Sequence, residues 1–402
     1  MHQQMLNKLA GMQSTDDGDD VSLFRGGLFY RAQVRAGLIN AERWNVGRRV
    51  VIILVLTWLP LVIITALFDR DQLVSLLTDY EVYSRVAIAI PILIIGQLVM
   101  EDRFIVVARH VRKAQLLSDE DLRKLNHVLA RIRQLRDSPL SELIILALIF
   151  VDLVLIWKSR VALGPAWAVY RNGGVSQLKL AGWYYGLVSA PIYQLLLALC
   201  FLKWLLWCFF LFRLSRMNLE LVATHPDGHG GLGFLGLSPI GFVPMAMAVS
   251  AVIGASWSNA IREHGARLTN FKFSAIILIV LMFLIALAPL ALFVRKLDLL
   301  RRTAMLQYAV LAQRQANYLQ RKWFSQPDPE GTQLTVAEIS ALADFALSYK
   351  NIKQLRPFPA DKGTLIGLAL AVTTPLFPAV LAEFPLSVIV KGLLQAVKAV
   401  PM

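Results

Sequence analysis

His225, Asp227 and His229 stand at alternate positions in a glycine-rich block, His225-Pro226-Asp227-Gly228-His229-Gly230-Gly231-Leu232-Gly233-Phe234-Leu235-Gly236. Two imidazoles and a carboxylate are fitting ligands for zinc, manganese or iron. Alternate residues converge on one ion only in a strand or a tailored loop, and no fourth ligand lies nearby in sequence. Exposed N–H groups around Gly230 and Gly231 give a second reading, an anion cradle. A third is structural. Pro226-Asp227-Gly228 is a turn signal, and the block sits between two apolar runs. A tight bend with His225 or Asp227 capping local backbone groups accounts for the composition. In a transport protein it would be a cytoplasmic gate. No nucleophile motif accompanies the block, and no catalytic residue is expected.

Other residues with chemical potential lie inside apolar runs. Asp152 stands about ten residues into the run Leu143–Trp157, and Lys203 about ten into Tyr193–Phe212. An ionised side chain in hydrocarbon costs about 2.5–3.5 kcal/mol on insertion scales. Pairing lowers that cost, so the sequence predicts an Asp152–Lys203 pair near mid-depth. It serves either as a proton or ion relay or as an ion pair that fixes helix docking. Gln97, Glu101 and Asp102 close another run. They read as interfacial charges or as an acidic mouth for a cation path. Ala246, Ser250, Gly254 and Ser258 repeat at four-residue spacing. Such a ridge permits close helix approach within the chain; it could also border a narrow pore or form a homo-oligomer interface.

The elements that must position these residues are transmembrane helices. The chain has 402 residues, of which 56% are hydrophobic, and a mean hydropathy of +0.56. Spans are expected near Val50–Phe68, Val86–Met100, Leu143–Trp157, Tyr193–Phe212, Phe242–Trp257 and Phe273–Val294, since about 20 apolar residues cross a bilayer as a helix. The segment 365–402 holds a last span, Leu365–Ala382, interrupted at Thr373-Thr374-Pro375 and Phe377-Pro378, and an amphipathic helix, Leu386–Val400. The last span either crosses, which we favour, or re-enters. The fold class is therefore all-α, a polytopic bundle of six to seven spans.

The net charge of +14 is unevenly placed. With a cytoplasmic N-terminus, inside loops carry 29 Lys and Arg and outside loops 11, as the positive-inside rule requires. The charge is thus a topology signal and an attraction to anionic lipid headgroups, not a nucleic-acid surface. No cleavable leader precedes Val50. Residues 1–22, with Asp16, Asp17, Asp19 and Asp20, read as a disordered tail. Cys200 and Cys208 lie about two helical turns apart, too far for a disulfide. Trp157, Trp167, Trp183, Tyr184, Tyr185 and Tyr193 read as an interfacial aromatic belt, with part of their loop as an interfacial helix.

Amphipathic helices are expected on the cytoplasmic side. Residues 119–136 place Leu122, Leu125, Leu129, Ile132 and Leu135 on one face, capped by Ser118 with Asp121. This helix lies on the membrane or its neighbours, or docks a partner. In the segment 295–364, Arg295–Phe324 continues the sixth span, Ser325–Gly331 forms a loop, and Thr335–Glu338 opens a helix to about Gln354 with Ile339, Leu342, Phe345 and Ala346 on its apolar face. No phosphate-binding glycine motif occurs, and no cofactor is expected.

The stretch Thr224-His225-Pro226-Asp227 through Gly230-Gly231-Leu232-Gly233-Phe234-Leu235 resembles an uncharacterised family of bacterial multi-pass inner-membrane proteins carrying an HPD-x-x-GGLGFL block. Leu135-Arg136-Asp137-Ser138, Ala288-Pro289-Leu290, Lys322-Trp323 and Ile339-Ser340-Ala341-Leu342-Ala343-Asp344 are similar too. The resemblance implies a bacterial inner-membrane location and assigns no site residues. From the residues, the leading function is an ion, proton or small-solute channel or secondary transporter. The alternatives are a scaffold or sensor recruiting a partner through basic helices, and a membrane-embedded metal enzyme built on His225, Asp227 and His229.

Overall fold

The computed structural model describes residue 22 and residues 26–38, 45–172, 175–321 and 336–384. The acidic tail before Ser22, Lys322-Trp323, the loop Ser325–Gly331, Thr335, the C-terminal segment Leu386–Val400 and the side chain of Trp157 lie outside the described residues.

The described chain is all-α apart from one hairpin. Its elements are α1 (Leu28–Arg35), α2 (Val46–Phe68), α3 (Tyr80–Lys113), α4 (Asp119–Asp137), α5 (Pro139–Leu163), β1 (Val169–Asn172), β2 (Val175–Leu178), α6 (Leu180–Ser215), α7 (Gly233–His264), α8 (Leu268–Gln320), α9 (Val336–Gln354) and α10 (Lys362–Glu383). Six helices are long and apolar enough to cross a membrane: α2, α3, α6, α7, α8 and α10. A seventh arises if α4 and α5, which meet at 46° across Ser138-Pro139, count as one broken span. Helix α10 runs unreversed from Asp361 to Glu383. A 3₁₀ turn at Thr374–Leu376 absorbs the missing donor of Pro375.

Neighbouring contacts put these helices in a common register. Arg49 of α2 meets Gln97 of α3, Gly96 abuts Pro244 of α7, and Gly241 abuts Met100. From this level, α2, α3, α5, α6 and α7 share a belt of about 20 residues, the thickness of a hydrocarbon core. The exposed large apolar side chains crowd into it, including Leu56, Leu59 and Ile63 on α2, Leu148 and Phe150 on α5, and Ile277 and Leu284 on α8. Beyond the belt lies one face with the hairpin and another with the histidine block, here the hairpin end and the block end.

At the hairpin end, β1 and β2 pair antiparallel with Val169 opposite Leu178. The outer loop thus holds a hairpin, and its helical part, residues 180–189, opens α6 rather than standing as a separate interfacial helix. Trp167 is not part of a lipid-facing belt either. It is buried, and its Nε1 donates to Asp79 Oδ2 at 2.9 Å. Asp79 Oδ1 also accepts from Asn259 Nδ2 at 2.8 Å and from the Glu81 backbone N–H at 3.0 Å, tying the loop to α3 and α7. Tyr193 is buried as well, while Trp183 is exposed. Both α3 and α6 contain a π-helical turn, at Ser84–Ala89 and Tyr185–Ser189, just before Pro91 and Pro191. A proline cannot donate to the preceding turn, and the π register takes up that gap.

At the block end, α3 and α6 project past the belt and α4 packs antiparallel beside them. Ser118 caps α4 by accepting from the Asp121 N–H at 3.3 Å. The buried face of α4 is Leu125, Val128, Leu129, Ile132 and Arg136, while Leu135, expected on that face, is 40% exposed. Helix α8 continues unbroken from the belt to Gln320, as its hydrophobic pattern implied.

The ridge Ala246, Ser250, Gly254 and Ser258 is buried within the chain. A Cβ on Gly254 would stand 2.7 Å from the Pro375 carbonyl oxygen and 3.0 Å from the Leu376 Cα. Gly254 thus packs against the broken turn of α10 rather than at a homo-oligomer interface. Gly254→Ala overpacks this contact at a cost of about 1–3 kcal/mol. Its thermal midpoint in detergent should fall. Gly367→Ala, whose added Cβ meets nothing within 4 Å, should leave the midpoint at or above wild type. Equal midpoints for the two variants would contradict the packing.

Candidate functional site

Three polar levels stack along the bundle. The first lies where α2 and α5 begin. Arg49 donates from Nη2 to Gln97 Oε1 at 2.9 Å, and Arg49 is fully buried. Glu142 of α5 is 2% exposed. Its Oε2 accepts from the N–H groups of Leu28 at 2.8 Å and Phe29 at 3.2 Å, capping α1. A carboxylate is favourable there because it meets unpaired N–H groups and the positive end of the helix dipole. Gly27 makes the approach possible, with φ of 86° and no room for a Cβ beside Glu142. Arg136 holds Asp137 through Nε at 2.9 Å and Nη2 at 2.7 Å, and donates from Nη1 to the Ser22 carbonyl. The ammonium of Lys203 lies in the field of Arg136, Glu142, Glu101 and Asp137. Buried Arg49, Glu101, Arg136, Glu142 and Lys203 thus stand at one level, with half-exposed Asp137 held beside Arg136. Each charge withdrawn from water costs several kcal/mol, and mutual compensation offsets that cost.

The second level lies at mid-belt. Gln194 Nε2 donates to Asp152 Oδ2 at 2.6 Å. The pair opens on an otherwise apolar cavity of about 390 Å³ where α5 and α6 meet Phe242, Met245 and Val249 of α7 and Met282 and Ile285 of α8. Asp152 and Lys203, expected as partners, are therefore separated. Gln194 and Lys203 stand nine residues apart along α6, about 14 Å. Asp152 lies within the apolar belt, whereas Lys203 sits at its edge and inside the bundle. Gln97 and Glu101, both 5% exposed, belong to the buried layer and not to an open mouth. Only Asp102 is at the surface, 3.8 Å from Arg103.

The third level is the histidine block. Asp227 folds back into its own loop and accepts from the N–H groups of His229 at 2.8 Å, Gly231 at 3.1 Å and Gly233 at 2.8 Å. His225 Nδ1 lies 2.9 Å from Asp227 Oδ1. Gly230 and Gly231 adopt φ of 63° and 95°, which turn these N–H groups inward. The anion that fills the cradle is the chain's own carboxylate. Buried His229 points away, with Nδ1 3.1 Å from the Arg356 carbonyl oxygen. The three side chains do not converge. Among the described residues, no group of three or more His, Cys, Asp or Glu is arranged to hold a metal ion.

The block instead clasps the linker between α9 and α10. The Arg356 N–H donates to the Gly228 carbonyl at 2.8 Å, Asn351 Nδ2 to the Thr224 carbonyl at 3.3 Å, and Thr364 Oγ1 to the Gly236 carbonyl at 3.3 Å. Sequence reasoning missed Arg49, Arg136 and Glu142, which look like ordinary flanking charges at helix ends. It also missed Gln194, an amide inside an apolar run and so a visible signal. No family model, curated protein or solved structure matches this chain.

Partial burial pushes the Asp227 carboxyl up, but the N–H donors of His229, Gly233 and Gly231, with His225, outweigh it and hold it below the usual carboxylate range. A group depressed on folding stabilises the fold above its unfolded pKa and loses that contribution as pH falls through the folded value. The contribution is thus full at neutral pH and fades below about pH 4. Asp227→Ala should cost roughly 2–3 kcal/mol and speed hydrogen exchange at residues 355–361 at pH 7. The wild-type linker should reach the same rates only in acid. Unchanged exchange in the variant would contradict the clasp.

Proposed function

We propose that the chain is an integral membrane protein that carries a proton or a small cationic solute across the bilayer, as a channel or secondary transporter. The carrying observation is Asp152, a carboxylate at mid-belt beside Gln194 on a cavity shared by four helices. An ionisable group at that depth is costly and is used where a cation or proton must be met. The charged layer of Arg49, Glu101, Arg136, Asp137, Glu142 and Lys203 closes the block side of this cavity. The clasp between the histidine block and the α9–α10 linker is then the element that controls access from that side. We place the block end in the cytoplasm of a bacterial cell, since the loops on that side carry the larger share of Lys and Arg.

A second reading, a scaffold or sensor that recruits a partner, is favoured by one observation. Helix α8 runs on past the belt with Leu299, Leu306 and Val310 exposed on one face.

Flux in proteoliposomes tests the proposal. Wild type should dissipate an imposed proton or monovalent-cation gradient, and Asp152→Asn should bring the rate down to that of protein-free vesicles without lowering the thermal midpoint. Wild-type flux no faster than that of empty vesicles under either gradient would contradict transport. Full activity of Asp152→Asn would remove Asp152 from the path.

A further inference from the structure

A groove between α4 and α6, on the block side of the charge layer, carries two arginines and a histidine. His127, Arg131 and Gln134 line it from α4, and Phe209 and Arg213 from α6, around a cavity of about 470 Å³. His127, Arg131 and Gln134 follow one another at four and three residues, so a single helical face presents them. No carboxylate lines the groove, and among the described residues none lies within ion-pair distance of Arg131 or Arg213. Two guanidinium groups facing one cavity without a counter-ion are arranged for an anion. Arginine is well suited to phosphate because its planar fork can donate twice.

The approach to this groove is apolar. On α6, Phe201 and Leu205 are exposed on the belt side of Phe209, and Leu135 is exposed on α4. The outward stripe of α6 therefore leaves the belt and runs without interruption to the mouth of the groove. Phe209 lies six residues past Lys203, about 9 Å along the helix. That depth adjoins the headgroup zone, which adds roughly 5–8 Å to each side of the hydrocarbon core. The stems of Arg131 and Arg213 reach it from opposite helices.

We propose that this groove binds the phosphate of an anionic phospholipid, with the acyl chains lying along Phe201 and Leu205. Free phosphate offers the same head chemistry but makes no use of the stripe. The site does not depend on whether the protein transports.

The test is the thermal midpoint of the full chain in neutral detergent with phosphatidylglycerol, phosphatidylcholine or inorganic phosphate added. Phosphatidylglycerol should raise it by about 2–4 °C, and the other two should not. R131Q/R213Q should lose the rise, whereas R302Q/R314Q, which removes the same charge elsewhere on α8, should keep it. Arg131 and Arg213 are exposed, and surface changes of this kind leave a fold intact. A rise that persists in R131Q/R213Q, an equal rise with inorganic phosphate, or no rise with phosphatidylglycerol would each overturn the assignment.

Discussion

An ionised side chain taken out of water must find compensation, and in this chain that requirement organises the bundle. Five buried charged residues, Arg49, Glu101, Arg136, Glu142 and Lys203, lie in one layer contributed by α2, α3, α4, α5 and α6, and half-exposed Asp137 joins it through Arg136. Because the charges must meet, the helices cannot slide past one another. The layer fixes where α5 starts relative to α3 and α6, and it recruits the N-terminus of α1 to satisfy Glu142. It also marks where the apolar belt ends. The small residues do the rest, since Gly96 against Pro244 and Gly254 against Pro375 bring α7 close to both α3 and α10. Packing of this kind drives helix association where the surroundings are as apolar as the side chains.

On the block side of that layer the architecture is held by backbone hydrogen bonds. Asp227 supplies a fixed negative charge to three N–H groups, and the loop so shaped presents the Gly228 carbonyl and the His229 ring to the α9–α10 linker. The linker leads directly into α10, whose broken turn lies against Gly254. A change at the block is thereby connected through one continuous segment to the centre of the belt. That continuity supports the proposed role of the block in access, and Asp227 filling the cradle makes the loop's glycines a matter of geometry.

Much of the architecture was legible in the sequence. Every expected span lies within a helix, and the Ser118 cap and the unbroken α8 follow from residue pattern alone. The candidate site was only half legible. Asp152 and Lys203 stood out as charges in apolar runs, but their partners depend on the register of α5 against α6. The hairpin pairs Val169 with Leu178, and the helices that flank it bring Asp152 to Gln194 and Glu142 into the field of Lys203. With part of the outer loop read as an interfacial helix, the hairpin was not anticipated and the partners of Asp152 and Lys203 could not be placed. Arg49 and Glu142 were hidden for another reason. A basic residue before a span and an acid in a first helical turn are ordinary local features, and only tertiary packing buries them.

The account depends on Asp152 and Lys203 occupying separate levels. Disulfide trapping in a background with Cys200 and Cys208 replaced by alanine measures this directly. Asp152→Cys with Gln194→Cys should cross-link readily under mild oxidation. Asp152→Cys with Lys203→Cys, about 14 Å further along α6, should not. Efficient cross-linking of the second pair and none of the first would contradict the register on which the proposed site rests.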